Sequence, residues 1–398
     1  MKEIRTKNMI LLSTGREACP GSPFDREAAA NAMRFHESLP MYGRTKLVCL
    51  NTAAGELGVK AIFLKDESTR FGLKAFKGLG GSYAVFRVLC DRLGLDPYKA
   101  VYSDFLTEEN RQKCADYVFA TATDGNHGKG VAWAAKLFGC KAYVFLPDGS
   151  AEARRKAIED AGAQEAVICS GLNYDKTVQH ARRMAEENGW TLVQDTSWEG
   201  YEQIPQWIVE GYLTMGAEIC EQLGKMSPTH VFLQAGVGAM AGGILGYLAD
   251  VCADREPVFM IVEPTEAACL YESAKAGDGS IRSIEGDPVT IMAGLNCGTP
   301  CSVIWPTIRD RAGFYCKCSD EVTENAMRML ARFPEEERVT SGESGAVTFG
   351  VAAEILRDAR LREEMGIDRE SVILLISTEG DTDPEEYQRI VQNRCEES

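Results

Sequence analysis

Histidine is scarce in this chain: 4 in 398 residues. The 14 cysteines are scattered, and only Cys297/Cys301 and Cys316/Cys318 lie close together. No histidine sits near either pair at zinc spacing, so no metal site is readable. Basic charge is also short. Lys and Arg number 43 against 59 Asp and Glu, a formal net charge of −16. Such a chain is a poor ligand for polyanions, which argues against nucleic acid and anionic membrane surfaces as partners. No apolar run is long enough to cross a bilayer, and "MILL" at 9–12 is too short for the apolar region of a signal peptide. Low-complexity runs and internal repeats are absent. The expectation is a cytoplasmic protein whose cysteines are mostly buried thiols.

What is present is ordinary globular material, 45% hydrophobic and 26% charged. The length is large for one core and predicts two domains or one large α/β unit. Nearly continuous apolar runs predict strands at 61–65, 117–121, 141–146, 165–170, 191–194, 230–235, 258–263 and 371–377. Helical patterns fall between them, at 126–138, 151–162, 174–188, 204–223 and 345–359. This alternation predicts an α/β fold of open, mostly parallel sheets wrapped by helices. Ligands of such sheets bind beyond the carboxyl ends of the strands, so the residues just after each strand matter most.

After "VFLQA" comes "GVGAMAGG", 236–243. Strand, glycine loop and helix make an anion site, with the N–H groups of Gly236, Val237, Gly238, Ala239 and Met240 as donors. The spacing of Gly236, Gly238 and Ala241 fits a dinucleotide, with Glu263 as the ribose acid; it fits a single phosphate monoester equally. After "YVFATA" comes "TDGNHGKG". It offers the carboxylate of Asp124, or a mere turn residue, and the amide of Asn126. His127 reads as a general base or as a packed, hydrogen-bonded histidine. Asp195 follows "TLVQ" and reads as a crevice acid or a helix cap. Thr378 follows "SVILLIS" and offers a hydroxyl, with Ser377 as the near alternative.

The stretch "KDESTRFGLKAFKGLGG", 65–81, holds Lys65, Lys74 and Lys77. Lys77 stands between Phe76 and a glycine run, a setting in which the backbone is expected to approach something flat. A lysine for a Schiff base, a loop for a phosphate, an amide for a phenolic oxygen and a hydroxyl for a ring nitrogen together describe a site for pyridoxal 5′-phosphate. Phe76 is placed to stack on the ring.

The motifs agree. "AFKGLGG", "DGNHGKG", "GVGAMAGG" and "SGESGA" resemble, in order, signatures of the fold type II pyridoxal-phosphate enzymes, the tryptophan synthase β and threonine dehydratase group. The likeness spans roughly 40–385 and is nearest to the diaminopropionate ammonia-lyase branch, through "ATATDGNHG", "QDTSWEGY" and "STEGDTD". Lys46 stands where the wider group has proline. The resemblance implies a large domain, 1–81 with 193–398, a small domain, 82–192, a cofactor between them and a homodimer. It also implies elimination of 2,3-diaminopropionate to pyruvate and two ammonia, through an external aldimine and aminoacrylate. Lys77, Asp124 and Asp195 would be catalytic. Serine or threonine dehydratase is the alternative lyase, and a dinucleotide oxidoreductase the alternative of another class.

Overall fold

The computed structural model describes residues 1–15, 22–123, 125–286 and 288–392. Asp124 therefore lies outside the described residues. Twelve strands occur among them: β1 Lys2–Arg5, β2 Met9–Ser13, β3 Lys46–Cys49, β4 Ala61–Asp66, β5 Val118–Ala122, β6 Lys141–Pro147, β7 Glu165–Cys169, β8 Thr191–Leu192, β9 His230–Gln234, β10 Val258–Pro264, β11 Phe314–Cys318 and β12 Val372–Ser377. Eight form one sheet in the order β1-β2-β11-β10-β9-β12-β4-β3, and four form a second in the order β7-β6-β5-β8.

The smaller sheet is parallel throughout. In the larger sheet β4, β12, β9, β10 and β11 run parallel, while β3 and the β1–β2 pair are antiparallel edges. The central strands β9 and β12 are buried at every position. Covered faces explain why they read as continuous apolar runs. The runs predicted as strands all form strands, within a few residues at each end. The edge strands β1 and β3 escape that reading because they alternate or stay partly exposed. In β11 the apolar run is broken by Lys317, which finds an ion-pair partner in Glu272 at 2.6 Å.

Five helices set up the cleft: α1 Lys77–Leu93, α2 Asn126–Leu137, α3 Gln203–Leu223, α4 Ala239–Val251 and α5 Glu343–Arg357. α1 is buried between α2 and α3. A Cβ on Gly80 would sit 2.5 Å from Tyr212 Cε1, and one on Gly130 would sit 2.8 Å from the Lys77 carbonyl. Gly80 and Gly81 thus let helices touch, and Gly78 packs on Leu73 and Phe71; none of the three lines the cleft, where the sequence reading expected an approach to something flat. No helix among the described residues is long and apolar enough to cross a membrane.

Candidate functional site

Segments that follow β5, β9 and β12, together with Asp195 beyond β8, meet in one cleft of about 460 Å³. Phe76, Lys77, Asn126, His127, Asp195, Gly236, Val237, Gly238, Ala239, Met240 and Thr378 all line it. Parallel strands place their carboxyl ends on one edge of each sheet, and loops from the small sheet (β5, β8) and the large sheet (β9, β12) face each other across the cleft.

The three lysines of the 65–81 stretch have different fates. Lys65 is fully buried on the far side, with its ammonium 2.6 Å from Glu218 and 2.8 Å from the Gln222 side-chain oxygen. Arg70 and Glu67 complete that buried network, in which two cations face two anions. Lys74 pairs with Asp381 at 2.9 Å near the surface. Lys77 alone reaches the cleft. Its segment is tied to the exit of β12: Phe76 N–H donates to the Thr378 carbonyl, and Gly380 N–H to the Lys74 carbonyl.

The Lys77 ammonium donates to Asp195 Oδ2 at 2.5 Å. Burial works against charge on both groups, yet each sustains the other. Asp195 holds Lys77 well above the usual lysine value. In the acid range where the imidazole is charged, His127, together with Lys77, overcomes the upward push of burial on Asp195, and the carboxyl is held at about 2. His127 Nε2 lies 2.9 Å from the Val193 carbonyl, an acceptor, so Nε2 carries the proton. Nδ1 then presents a lone pair. It is 3.7 Å from Asp195 Oδ2 and makes no hydrogen bond among the described residues.

At the other wall, Gly238 takes φ +91° and opens α4. A Cβ there would lie 2.9 Å from Ile308 Cδ1, and one on Gly236 3.0 Å from Cys297 Sγ. No acceptor among the described residues takes the N–H groups of Gly238, Ala239 or Met240. A glycine cradle at a helix N-terminus fits a phosphate monoester. A dinucleotide fits poorly. Glu263 accepts from the N–H groups of Leu270 and Tyr271 at 2.8 and 2.7 Å, so it caps a turn and offers nothing to a ribose.

Thr378 and Ser377 diverge. Ser377 Oγ donates to Ser341 Oγ at 2.7 Å, away from the cleft lining. Thr378 Oγ1 accepts from Gln234 Nε2 at 3.2 Å, which leaves its own hydrogen to donate. Gln234 Nε2 also reaches the carbonyls of Ile376 and Ser344, and that fixes the amide orientation.

The chain matches the model of the "Pyridoxal-phosphate dependent enzyme" family over residues 39–379. It is 45% identical to the diaminopropionate ammonia-lyase of Salmonella typhimurium over 369 residues, 91% of each chain. Identity to the Escherichia coli enzyme of that name is also 45%, over 374 residues and 92% of each chain. The chain belongs to the diaminopropionate ammonia-lyase family. Within that family, the crystal structure of the Escherichia coli diaminopropionate ammonia-lyase, in complex with an aminoacrylate–PLP azomethine reaction intermediate, superposes with a TM-score of 0.88. The match is at 42% identity over 96% of both chains. A threonine deaminase from Solanum lycopersicum shares the fold, at TM-score 0.71 and 19% identity. The family is α/β, fold type II, with pyridoxal phosphate as cofactor.

Two residues lining this cleft escaped the sequence reading. Glu379 accepts from Asn126 Nδ2 at 2.5 Å and from Ser344 N–H at 3.0 Å. Glu343 is raised to about 7, by burial first and then by Glu379. Both stand in quoted motifs, "TEGDTD" and "SGESGA", but nothing in those strings says that their side chains turn into a cleft.

Proposed function

We propose that this chain eliminates the β-amine of 2,3-diaminopropionate, yielding pyruvate and two ammonia. Bound pyridoxal phosphate supplies an electron sink for the pair left at Cα. Lys77 would carry it, and the N–H groups of Gly236, Val237, Gly238, Ala239 and Met240 would hold its phosphate. Phe76 would pack on the ring, Asn126 would meet the phenolic oxygen, and the Thr378 hydroxyl would donate to the ring nitrogen. A neutral donor there leaves that nitrogen largely unprotonated. Such a ring would favour prompt loss of the β group.

The carboxylates separate this reading from a hydroxy-amino-acid dehydratase. A diamine enters as a double ammonium, and the β-nitrogen must keep its proton to leave as ammonia. Asp195, with Glu343 and Glu379 also lining the cleft, supplies counter-charge and proton acceptors. Asp124, one residue before the Gly125–Asn126 pair, is the second proposed acid. Lys77, once its amine is free, is a competing base.

The observation that carries the proposal is the Lys77–Asp195 ion pair in the same cleft as the glycine cradle. Pyruvate release from D- and L-diaminopropionate, against D- and L-serine and threonine, tests it. Turnover of serine or threonine with none of either diamine would overturn it.

The same proposal includes a large body, 1–81 with 193–398, and a small one, 82–192; β5 to β8 all fall inside the latter span. It includes a homodimer, which light scattering would test. It includes the cytoplasm, for which the thiols of Cys90, Cys114, Cys140, Cys316 and Cys318 are support.

A further inference from the structure

The side-chain amide of Asn126 has two ends of nearly equal shape, one that donates and one that accepts. Its own helix does not decide which end faces the cleft. Asn126 opens α2, and among the described residues its amide makes a single hydrogen bond, to Glu379. An ionised carboxylate only accepts. The Nδ2 end therefore turns toward Glu379, as the 2.5 Å bond to Oε2 shows.

Glu379 is itself held firmly. It is 5% exposed. Its Oε1 accepts from the Ser344 N–H at 3.0 Å. That N–H lies in the first turn of α5, where backbone donors lack helical partners and negative charge is favoured. A backbone donor cannot be reversed, so Oε1 is committed and Oε2 is left to Asn126. The main chain is pinned as well. The Glu379 carbonyl accepts from the Gly342 N–H at 3.0 Å, and the Gly380 N–H donates to the Lys74 carbonyl at 2.9 Å. A Cβ on Gly342 would lie 2.5 Å from the Gly380 carbonyl oxygen and 3.3 Å from Glu379 Oε1, so α5 starts directly against this segment.

We propose that Glu379 is a positioning residue of the cofactor site: it orients the Asn126 amide so that an N–H, and not the carbonyl oxygen, meets the phenolic oxygen of pyridoxal phosphate. The inference rests on Asn126 as the partner of that oxygen. Nδ2 carries two hydrogens; Glu379 takes one, and the second is kept for the cofactor. A reversed amide would set its carbonyl against an oxygen rich in negative charge. Glu379 follows Thr378, so one short segment after β12 serves both polar edges of the ring, Thr378 directly and Glu379 through Asn126. Because Asn126 follows β5 of the small sheet, the orientation is set from across the cleft.

The test is a double-mutant cycle on full-length, cofactor-free protein, read by absorbance titration with pyridoxal phosphate. Glu379→Gln keeps the shape but offers one acceptor oxygen in place of two. The Ser344 N–H claims it, and an NH₂ group then faces Asn126. The Asn126 amide reverses or loses its bond, and cofactor affinity should fall about 10–100-fold. An Asn126→Ala chain has no amide to orient. In it, Glu379→Gln should change affinity by no more than about twofold. A structural role alone would lower affinity by the same factor in both backgrounds, and that result overturns the proposal. Native affinity in the Glu379→Gln single variant overturns it too. Native affinity in Asn126→Ala would instead remove Asn126 from the cofactor, and the proposal with it. Urea melts without cofactor establish that each variant is folded, and Glu379→Ala carries the same cycle if the glutamine variant is not.

Discussion

Asn126 Nδ2 donates to Glu379 Oε2 at 2.5 Å, a bond that joins the helix after β5 of the small sheet to the exit of β12 of the large one. One N–H of the amide serves Glu379, and on the proposed reading the other would meet a cofactor oxygen. Asn126→Asp would set two carboxylates against each other and remove that donor. Cofactor affinity should fall about 10–100-fold, the equivalent of one charge-assisted hydrogen bond. Absorbance titration with pyridoxal phosphate measures it, and unchanged affinity would take Asn126 out of the site.

Lysine substitutions should separate chemistry from stability. Lys77→Ala should abolish the absorbance of bound cofactor and reduce turnover by orders of magnitude. Lys65→Ala should retain the absorbance yet lose about 3–5 kcal/mol of stability, because Glu218 keeps a buried charge with one partner fewer. Lys74→Ala should do neither, since its pair with Asp381 is half-exposed. Urea melts and spectra of the three variants decide the matter.

Gly238→Val should uncouple the phosphate loop. Its φ of +91° disfavours any side chain, and a Cβ meets Ile308 at 2.9 Å. Displacing the N–H groups should weaken cofactor retention by one to two such bonds, about 1.5–3 kcal/mol each. Rebinding of pyridoxal phosphate with native affinity would remove the loop from the site.

The two aspartates should divide the enantiomers, because the Cα protons of D- and L-substrate point to opposite ring faces. Family resemblance assigns Asp124 to the D-isomer and Asp195 to the L-isomer. Asp124→Asn should depress the D-rate about 10²–10⁴-fold more than the L-rate, and Asp195→Asn the reverse. Equal losses on both isomers would point to Lys77 as the shared base.

Glu343 makes stability depend on pH in a definite sense. Its folded value, about 7, lies above the unfolded 4.5, so the native state binds the extra proton. The stability this confers is complete below about pH 4.5 and is lost as pH rises through about 7, some 3 kcal/mol in all. Glu343→Gln should flatten that part of the profile. Chemical melts between pH 4.5 and 8 read it, and parallel curves for the two proteins would contradict the assignment.

Sequence alone determined the α/β architecture, because covered strands leave continuous apolar runs and loops after parallel strands carry the chemistry. It also placed Gly236–Met240, Asn126, Asp195, Thr378 and Lys77 as residues to watch, since each follows a strand or stands in a motif. Only the tertiary structure decided among chemically equal alternatives. Lys65 and Lys77 are both lysines beside apolar neighbours, but one faces Glu218 and the other Asp195. Ser377 and Thr378 are adjacent hydroxyls, and strand alternation sends them to opposite sides. Gly80 and Gly81 serve helix contacts made by Tyr212 and Gly130, which lie far along the chain. Local patterns record whether a residue is buried, whereas its partner depends on packing between segments that sequence spacing does not relate.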